Sequence, residues 1–271
     1  MRVIVTRVQP QAARWVKLLA PRFDAVALPL IDIQPLADTR ALQVAGQRWA
    51  DYAAVMFVSS AAVDHFFASN LALARIKRTQ QAIKTRAWAP GPATRAALLA
   101  HGLAAEWVDS PAAEGGQFDS EALWQQVQTQ IGPGARVLIV RGDTQTEDDP
   151  DGPAGSVSVQ GVGRDWLAQR LRQAGAVVDF VVAYRRGAPV WGPHERSLAT
   201  AAARDGSVWL FSSAEAINHL PSLLPGQSWA QARAVATHPR IAEAARCLGF
   251  GVVSESRPTL PEVLASIESV A

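Results

Sequence analysis

Short runs of β-branched and other apolar residues alternate along this chain with longer stretches whose apolar positions recur at a period near 3.6. The strand candidates are Val3–Thr6, Val26–Leu28, Ala54–Val58, Ala87–Ala89, Ala105–Val108, Val137–Val140, Val177–Val182, Val208–Phe211, Ala234–Ala236 and Gly251–Ser254. Most are separated by windows of about 10–15 residues, such as LAQRLRQAG and EALWQQVQTQ, that read as amphipathic helices. Gly102, Gly175 and Gly249 each stand just past such a window, where a helix stops. Strand and helix in alternation predict parallel sheets covered by helices on both faces.

The pattern repeats. RAWAPGPATRAALLAHGLAAEWVDSP (Arg86 to Pro111) aligns without a gap on RAVATHPRIAEAARCLGFGVVSESRP (Arg233 to Pro258). VSSAAVDHF (Val58 to Phe66) aligns on FSSAEAINH (Phe211 to His219), and RVIVTR (Arg2 to Arg7) on RVLIVR (Arg136 to Arg141). A helix bearing Trp15 or Trp166 follows the last pair. The copies are out of order. The first half-unit has its partner late, at 136–184, whereas the remaining units fall at 54–130 and 193–270. If the pieces of one domain share a sheet, a cut at the middle fails. The economical solution is a discontinuous domain, residues 1–35 with 188–271, and a second domain, residues 36–187, inserted between its pieces. The chain then crosses twice, near LPLIDIQPL and AYRRGAPV, where Pro29, Pro35 and Pro189 suit extended segments. A ligand cleft between the two similar domains is expected.

Composition narrows the class. Apolar residues are 49% of the 271 and charged residues 18%, against roughly 25% charged in a typical domain, so a large buried core is expected rather than disorder. One cysteine excludes a disulfide framework and a Cys-rich metal site. Cys247 itself, in an Ala-rich helical run, reads as a small core residue. No apolar run reaches about 18 residues, so no transmembrane helix is expected. The apolar stretch of MRVIVTRVQP is shorter than a signal-peptide core of about 7–15 residues, which points to the cytoplasm. A net charge of +2 argues against a general polyanion binder. Only Lys17, Lys77 and Lys84 are lysines among the 26 basic residues. Arginine grips carboxylates and phosphates bidentately, although GC-rich codon usage produces the same bias. The segment from Gly142 to Gly163 is acidic, Gly/Pro-rich and aperiodic, and reads as a surface insertion or a lid.

Familiar catalytic signatures are missing. No G-x-G-x-x-G follows the first strand, GPATR lacks the rest of a phosphate loop, and Ser59 and Ser60 lack the glycines of a nucleophile elbow. The histidines, at 65, 101, 194, 219 and 238, show no metal-ligand spacing. Asp64 and His65 are neighbours on a helix and point about 100° apart, so they form no dyad. What remains is a set of strand-to-helix turns: VSS (Val58 to Ser60), APGPAT (Ala89 to Thr94), FSS (Phe211 to Ser213) and ATHPR (Ala236 to Arg240). Such turns lie at the carboxyl edge of a parallel sheet, where ligands bind. Each hydroxyl can simply cap its helix. Free N–H groups and the positive helix end also bind anions, and four paired turns favour that use. Arg7 and Arg141 end equivalent strands. Tyr184, in a crossing segment, can donate a proton in the cleft or pack on a domain face.

Taken in order, VIVTR, LPLIDIQP, FVSSAAV, APGPATRAALLAHG, FDSEALW, VLIVRG, GVGRDWLAQRLRQAGAVVDFVVAYRR, FSSAEAI and ATHPRIAEAARCLGF resemble the uroporphyrinogen-III synthase family across nearly the whole chain. The resemblance implies an α/β fold of two similar, flavodoxin-like parallel-sheet domains. A two-stranded connector joins them, and the N-terminal segment is swapped into the C-terminal domain. It implies a lyase of haem biosynthesis, free of metal and organic cofactor. Its substrate, the linear tetrapyrrole hydroxymethylbilane with eight carboxylates, would lose its hydroxyl and close with the last pyrrole inverted. The route passes through an azafulvene and a spiro intermediate. By resemblance Tyr184 is the residue that assists hydroxyl departure. Ser59, Ser60, Ser212 and Ser213 match the family's Thr-Ser turns, and Gly91 and Thr94 its G-P-x-T turn. Arg7, Arg141, Thr237 and His238 complete the expected substrate-binding set. Val58 replaces a common Thr, His238 and Ile241 replace Gly and Thr, and the acidic Asp143–Asp151 stretch is atypical and expected to point away from a polyanion. A monomer is expected, with transient contact to the upstream hydroxymethylbilane synthase and none with nucleic acid or membrane. The competing reading is a non-catalytic two-lobed binding or sensor protein for an anionic tetrapyrrole-like ligand, which would bind without turnover.

Overall fold

The computed structural model describes residues 1–70, 84–111, 120–144 and 162–270. Most of the acidic segment (145–161) and the first residues of FDSEALW lie outside the described residues. In chain order the elements are β1 (Arg2–Val5), α1 (Gln11–Leu19), β2 (Asp24–Ala27), β3 (Asp32–Pro35), α2 (Arg40–Gln47), β4 (Ala54–Phe57), α3 (Ser60–Ser69), β5 (Arg86–Trp88), α4 (Pro92–Ala100), β6 (Val108–Asp109) and α5 (Ser120–Val127). There follow β7 (Arg136–Thr144), α6 (Val162–Gln173), β8 (Val177–Gly187), α7 (Pro193–Ala202), β9 (Val208–Phe211), α8 (Ala214–Asn218), α9 (Leu220–Leu223), β10 (Arg233–Ala236), α10 (Pro239–Leu248), β11 (Val252–Glu255) and α11 (Leu260–Ser269). The chain divides into two compact units, Met1–Ile33 with Gly187–Ala271, and Gln34–Arg186.

The discontinuous unit holds a five-stranded sheet in the order β11-β10-β9-β1-β2, with every pair parallel. A parallel sheet is buried on both faces, so its central strands are apolar through their inner positions and alternation sorts the side chains between two cores. Val3, Val5, Val208, Leu210 and Val235 face one way, onto Ala12 and Leu19 of α1 and Val263 and Ile267 of α11. Ile4, Trp209, Phe211, Ala234 and Ala236 face the other way, onto Ala199, Ile217 and Ile241. The second core is aromatic. Trp209 meets Trp229 edge-on at 5.3 Å, and Trp229 stacks on Phe250 at 5.0 Å. The chain leaving β2 is pinned on this unit, with Trp191 Nε1 donating to Pro29 O at 3.4 Å and His219 Nδ1 to Leu30 O at 2.7 Å.

The continuous unit carries the six-stranded sheet, in the order β3-β8-β7-β4-β5-β6. The pairs from β8 to β6 are parallel. Ala54, Met56, Trp88, Val137 and Ile139 pack under α5 and α6 on Leu123, Val127, Leu167 and Leu171. Phe57 turns to the opposite face, where Trp49 and the α3 rings Phe66 and Phe67 surround it. Asn70 closes α3: its buried Nδ2 donates to Leu42 O at 3.0 Å and Phe66 O at 2.9 Å. Only a residue without Cβ at Gly46 leaves that amide room.

The expected helix stops at Gly102, Gly175 and Gly249 take φ of 85°, 84° and 95°, a left-handed conformation that glycine adopts without strain. Several expectations differ from the structure. Ala105–Val108 is not a strand: Ala105–Trp107 forms a 3₁₀ turn and β6 is two residues long. Its repeat counterpart β11 has valines at 252 and 253, where the first copy has Ala105 and Glu106, which favour a strand less. β7 and β8 run beyond the predicted Val140 and Val182, so Arg141 and Tyr184 lie inside strands. Cys247 is exposed. Ile241, Ala242 and Ala245 form the buried stripe of α10, and position 247 falls off that stripe. No described helix is long and apolar enough to cross a membrane.

Candidate active site

The carboxyl edge of the six-stranded sheet gathers residues from four neighbouring strands. After β4, Ser59 takes an extended backbone (φ −162°, ψ 165°) and becomes the N-cap of α3, its Oγ accepting the Ala62 N–H at 3.2 Å. That oxygen lies 3.0 Å from the phenolic oxygen of Tyr184 in β8, 125 residues away. Tyr184 is only 2% exposed, whereas Ser59 is partly open.

A one-residue irregularity aims the tyrosine. Along β7 and β8 the pairs run in step through Arg141↔Val182, and then Gly142 pairs with Tyr184, which leaves Ala183 as the extra residue. Without this bulge, alternation would place Tyr184 on the same face as Phe180, towards α6. An inserted residue reverses the side-chain direction. Tyr184 accordingly faces α3, whose His65 ring lies 5.7 Å from it. Gly142 makes room: a Cβ there would stand 2.8 Å from the phenolic oxygen and nearer still to the ring carbons Cε2 and Cζ.

Burial pushes the His65 imidazole below its ordinary value of 6.5, against the opposing charge of Asp64. As pH falls below about 6.5 the unfolded chain takes up this proton before the folded one. The contribution of neutral His65 is therefore present at higher pH and lost as pH drops through the window below 6.5. The urea midpoint should fall on going from about pH 7.5 to about 5.5, and His65→Gln should flatten that fall. Equal pH dependence in both proteins would count against a half-buried, neutral His65. Asp64 itself faces away, its Oδ1 2.8 Å from His101 Nε2. The two neighbours form no dyad, as the helical spacing predicts.

The remaining expected residues of this unit are spread along the same edge or just behind it. Gly91 is the N-cap of α4, Pro92 follows it, and Thr94 is buried in the first turn. Ser60 opens α3 beside Ser59. Arg141 lies over the Phe180 ring at 5.0 Å, on the side of the sheet opposite Tyr184, and Arg172 lies over the same ring at 5.6 Å.

The discontinuous unit presents the repeat counterparts at the edge of its own sheet. Arg7 follows β1 and stacks on Trp15 at 4.7 Å. Burial lowers its pKa, and its Nε has no hydrogen-bond partner among the described residues. An arginine held this way is suited to an incoming carboxylate. Here the serine turn is shifted by one. Ser213, not Ser212, is the N-cap of α8, and its side chain makes no capping bond. His238 occupies the place of Gly91 and caps α10, Nδ1 accepting the Arg240 N–H at 3.2 Å. The imidazole thus takes up a backbone donor that a glycine cap leaves open. Thr237 is buried behind it.

Gly142 and His65 are the residues that reasoning from sequence missed as parts of this site. A glycine late in a strand run signals a bulge or a close approach, which is the signal available for Gly142; nothing local marks His65. Among the described residues no group of three or more His, Cys, Asp or Glu side chains is placed to hold a metal ion.

Comparison with known proteins agrees with this architecture. Two crystal structures share the fold over all of this chain at 15% identity. One is a mutant uroporphyrinogen III synthase from the extremely thermophilic bacterium Thermus thermophilus (TM-score 0.51, 98% of that chain covered). The other is uroporphyrinogen-III synthetase from Helicobacter pylori (TM-score 0.54, 100% covered). The family described as uroporphyrinogen-III synthase HemD matches residues 16–265. A match of that extent, on a fold of two parallel sheets with polar turns at their carboxyl edges, places the chain in the uroporphyrinogen-III synthase family.

Proposed function

We propose that this chain converts hydroxymethylbilane to uroporphyrinogen III, removing one water and closing the tetrapyrrole with its last ring inverted. The 3.0 Å contact between Tyr184 and Ser59 carries the assignment of the acid. Hydroxide is a poor leaving group, so the C–O bond needs a proton as it breaks. The tyrosine hydroxyl supplies that proton, the bond pair leaves on oxygen as water, and the pyrrole's electrons close the exocyclic double bond of the azafulvene. Attack of the substituted carbon of the last ring then gives the spiro intermediate. The bond from that carbon to its original methylene then breaks, the pair returning to the last ring and the methylene becoming an azafulvene on the neighbouring ring. The last ring's unsubstituted α-carbon closes on this methylene, and the proton lost from that carbon as the ring regains aromaticity restores the tyrosine. No redox change occurs.

The ring inversion asks for geometry rather than for a further reactive group, since the bilane closes without inversion when nothing holds it. Carboxylates match the groups offered at the sheet edges. These are the helix N-termini behind Ser59, Ser60, Gly91 and Thr94 in one unit, and Arg7, Ser212, Ser213, Thr237 and His238 in the other. Arg141, stacked on Phe180, lies on the face of its own sheet opposite Tyr184. In this reading the enzyme is a cytoplasmic monomer that works without metal or organic cofactor and receives its bilane from hydroxymethylbilane synthase.

The test is product identity. Bilane generated in situ, incubated with the protein and a chelator and then oxidised, should give mostly the type III porphyrin isomer. Type I isomer alone, at the rate seen without the protein, would overturn the reading.

A further inference from the structure

The pair at the sheet edge contains an asymmetry. Tyr184 is buried to 2% exposure, its ring fixed between Gly142 and His65, while Ser59 at the head of α3 is the more open of the two. A serine hydroxyl has two acceptor positions and one donor. Ser59 Oγ already accepts the Ala62 N–H at 3.2 Å. With Tyr184 donating across 3.0 Å, the second acceptor position is filled, and the serine's own proton is left to point outward.

We propose that Ser59 is the hydroxyl that meets the substrate, and that the proton lost by Tyr184 reaches the departing hydroxyl through it. This rests on the reading of Tyr184 as the proton source. In one concerted event the Tyr184 O–H proton moves to Ser59 Oγ, and the Ser59 proton moves to the substrate oxygen. The C–O bond breaks with its pair on that oxygen, and water departs. Ser59 is neutral before and after, and the negative charge rests on the phenolate. The proton released later, when the last pyrrole regains aromaticity, returns by the same two oxygens. The α3 N-terminus favours this traffic, because its positive end stabilises negative charge gathering on the two oxygens. The relay also gives the bulge at Ala183 its purpose: one residue more or less in β8 would turn the phenol away from α3.

The relay predicts an unusual equality. Ser59→Gly keeps a residue that serves well at an N-cap but removes the hydroxyl. It should lower kcat about a hundredfold, as Tyr184→Phe should, with KM within about twofold of wild type. The double variant should be no slower than either single one, since the two hydroxyls act as a unit. Ser59→Thr, which restores the hydroxyl, should recover most of the rate. A purely structural cap behaves differently: Ser59→Gly would be nearly silent and Ser59→Ala harmful. A carboxylate contact would raise KM and leave kcat alone. Either pattern, or losses that multiply in the double variant, overturns the relay while leaving Tyr184 as the acid. Wild-type turnover in Tyr184→Phe would instead overturn the underlying assignment.

Discussion

Gly142→Ala is expected to lower turnover about a hundredfold, because a displacement of the reacting group by about 1 Å is enough for a loss of that size. The added methyl would stand 2.8 Å from the Tyr184 oxygen and closer to the ring. The ring cannot slide away, being buried at 2% exposure with His65 beside it. The backbone at Gly142 cannot retreat either, since it is paired with Tyr184 in the β7–β8 ladder. Tyr184 must therefore leave Ser59, and the overpacked edge should cost about 1–3 kcal/mol in stability as well. Steady-state kinetics and a urea midpoint measured on the same preparation check both. Wild-type turnover in the alanine variant would mean that the phenol position is not what the reaction depends on.

Trp209→Ala should be the most damaging core substitution in the discontinuous unit, at about 3–5 kcal/mol. The indole is fully buried at the centre of β9. It meets Trp229, Phe211 and Phe250, and its Nε1 donates to Ala202 O at 3.1 Å. Truncation leaves a cavity among rings that cannot collapse into it and also orphans a carbonyl of α7. Two compact units need not unfold together, so the loss is best read where it occurs. Amide exchange in β9 and β10 should accelerate by about two to four orders of magnitude, as about 3–5 kcal/mol implies. Exchange in β4 and β7 should change far less. A uniform change across both sheets would show that the units unfold as one.

The strands that sequence located best are those whose local pattern agrees with their burial. VWLF at Val208–Phe211 is a bounded apolar run and forms β9 with those limits. The alternation of strand and helix yielded the two parallel sheets because each covered strand is apolar on both faces. Ala105–Val108 failed because alignment with the second copy outweighed the weak strand preference of Ala105 and Glu106. β3 went unread because Asp-Ile-Gln-Pro has too short a pattern to distinguish a strand from an extended crossing. Cys247 was misplaced because residue type was weighed above its position on the helical stripe.

The site was legible to a different degree. Turn chemistry pointed to the strand ends, and there Ser59, Gly91, Ser213 and His238 occupy helix N-cap positions, Ser59 and His238 with a side-chain capping bond. Tyr184 stood out in sequence through its place in a crossing and through the family resemblance, with no local motif around it. Its approach to Ser59 depends on a register shift between strands that meet only in the folded chain. No periodicity within either strand encodes that shift, so the lone glycine at 142 was the one local hint, and His65 on α3 had none.

The central claim is that the Tyr184 hydroxyl supplies the proton for water loss while positioning alone determines ring inversion. The measurement that tests it most directly is the rate and the isomer composition of one reaction, catalysed by Tyr184→Phe with bilane generated in situ. The loss should be about a hundredfold in rate, the usual size for a missing general acid, and larger than for Ser60→Ala, Ser212→Ala or Ser213→Ala. The product made above the uncatalysed background should still be type III. A Tyr184→Phe enzyme as fast as wild type would remove Tyr184 from the mechanism, and a fast enzyme that gives type I would show that the phenol governs geometry instead of proton transfer.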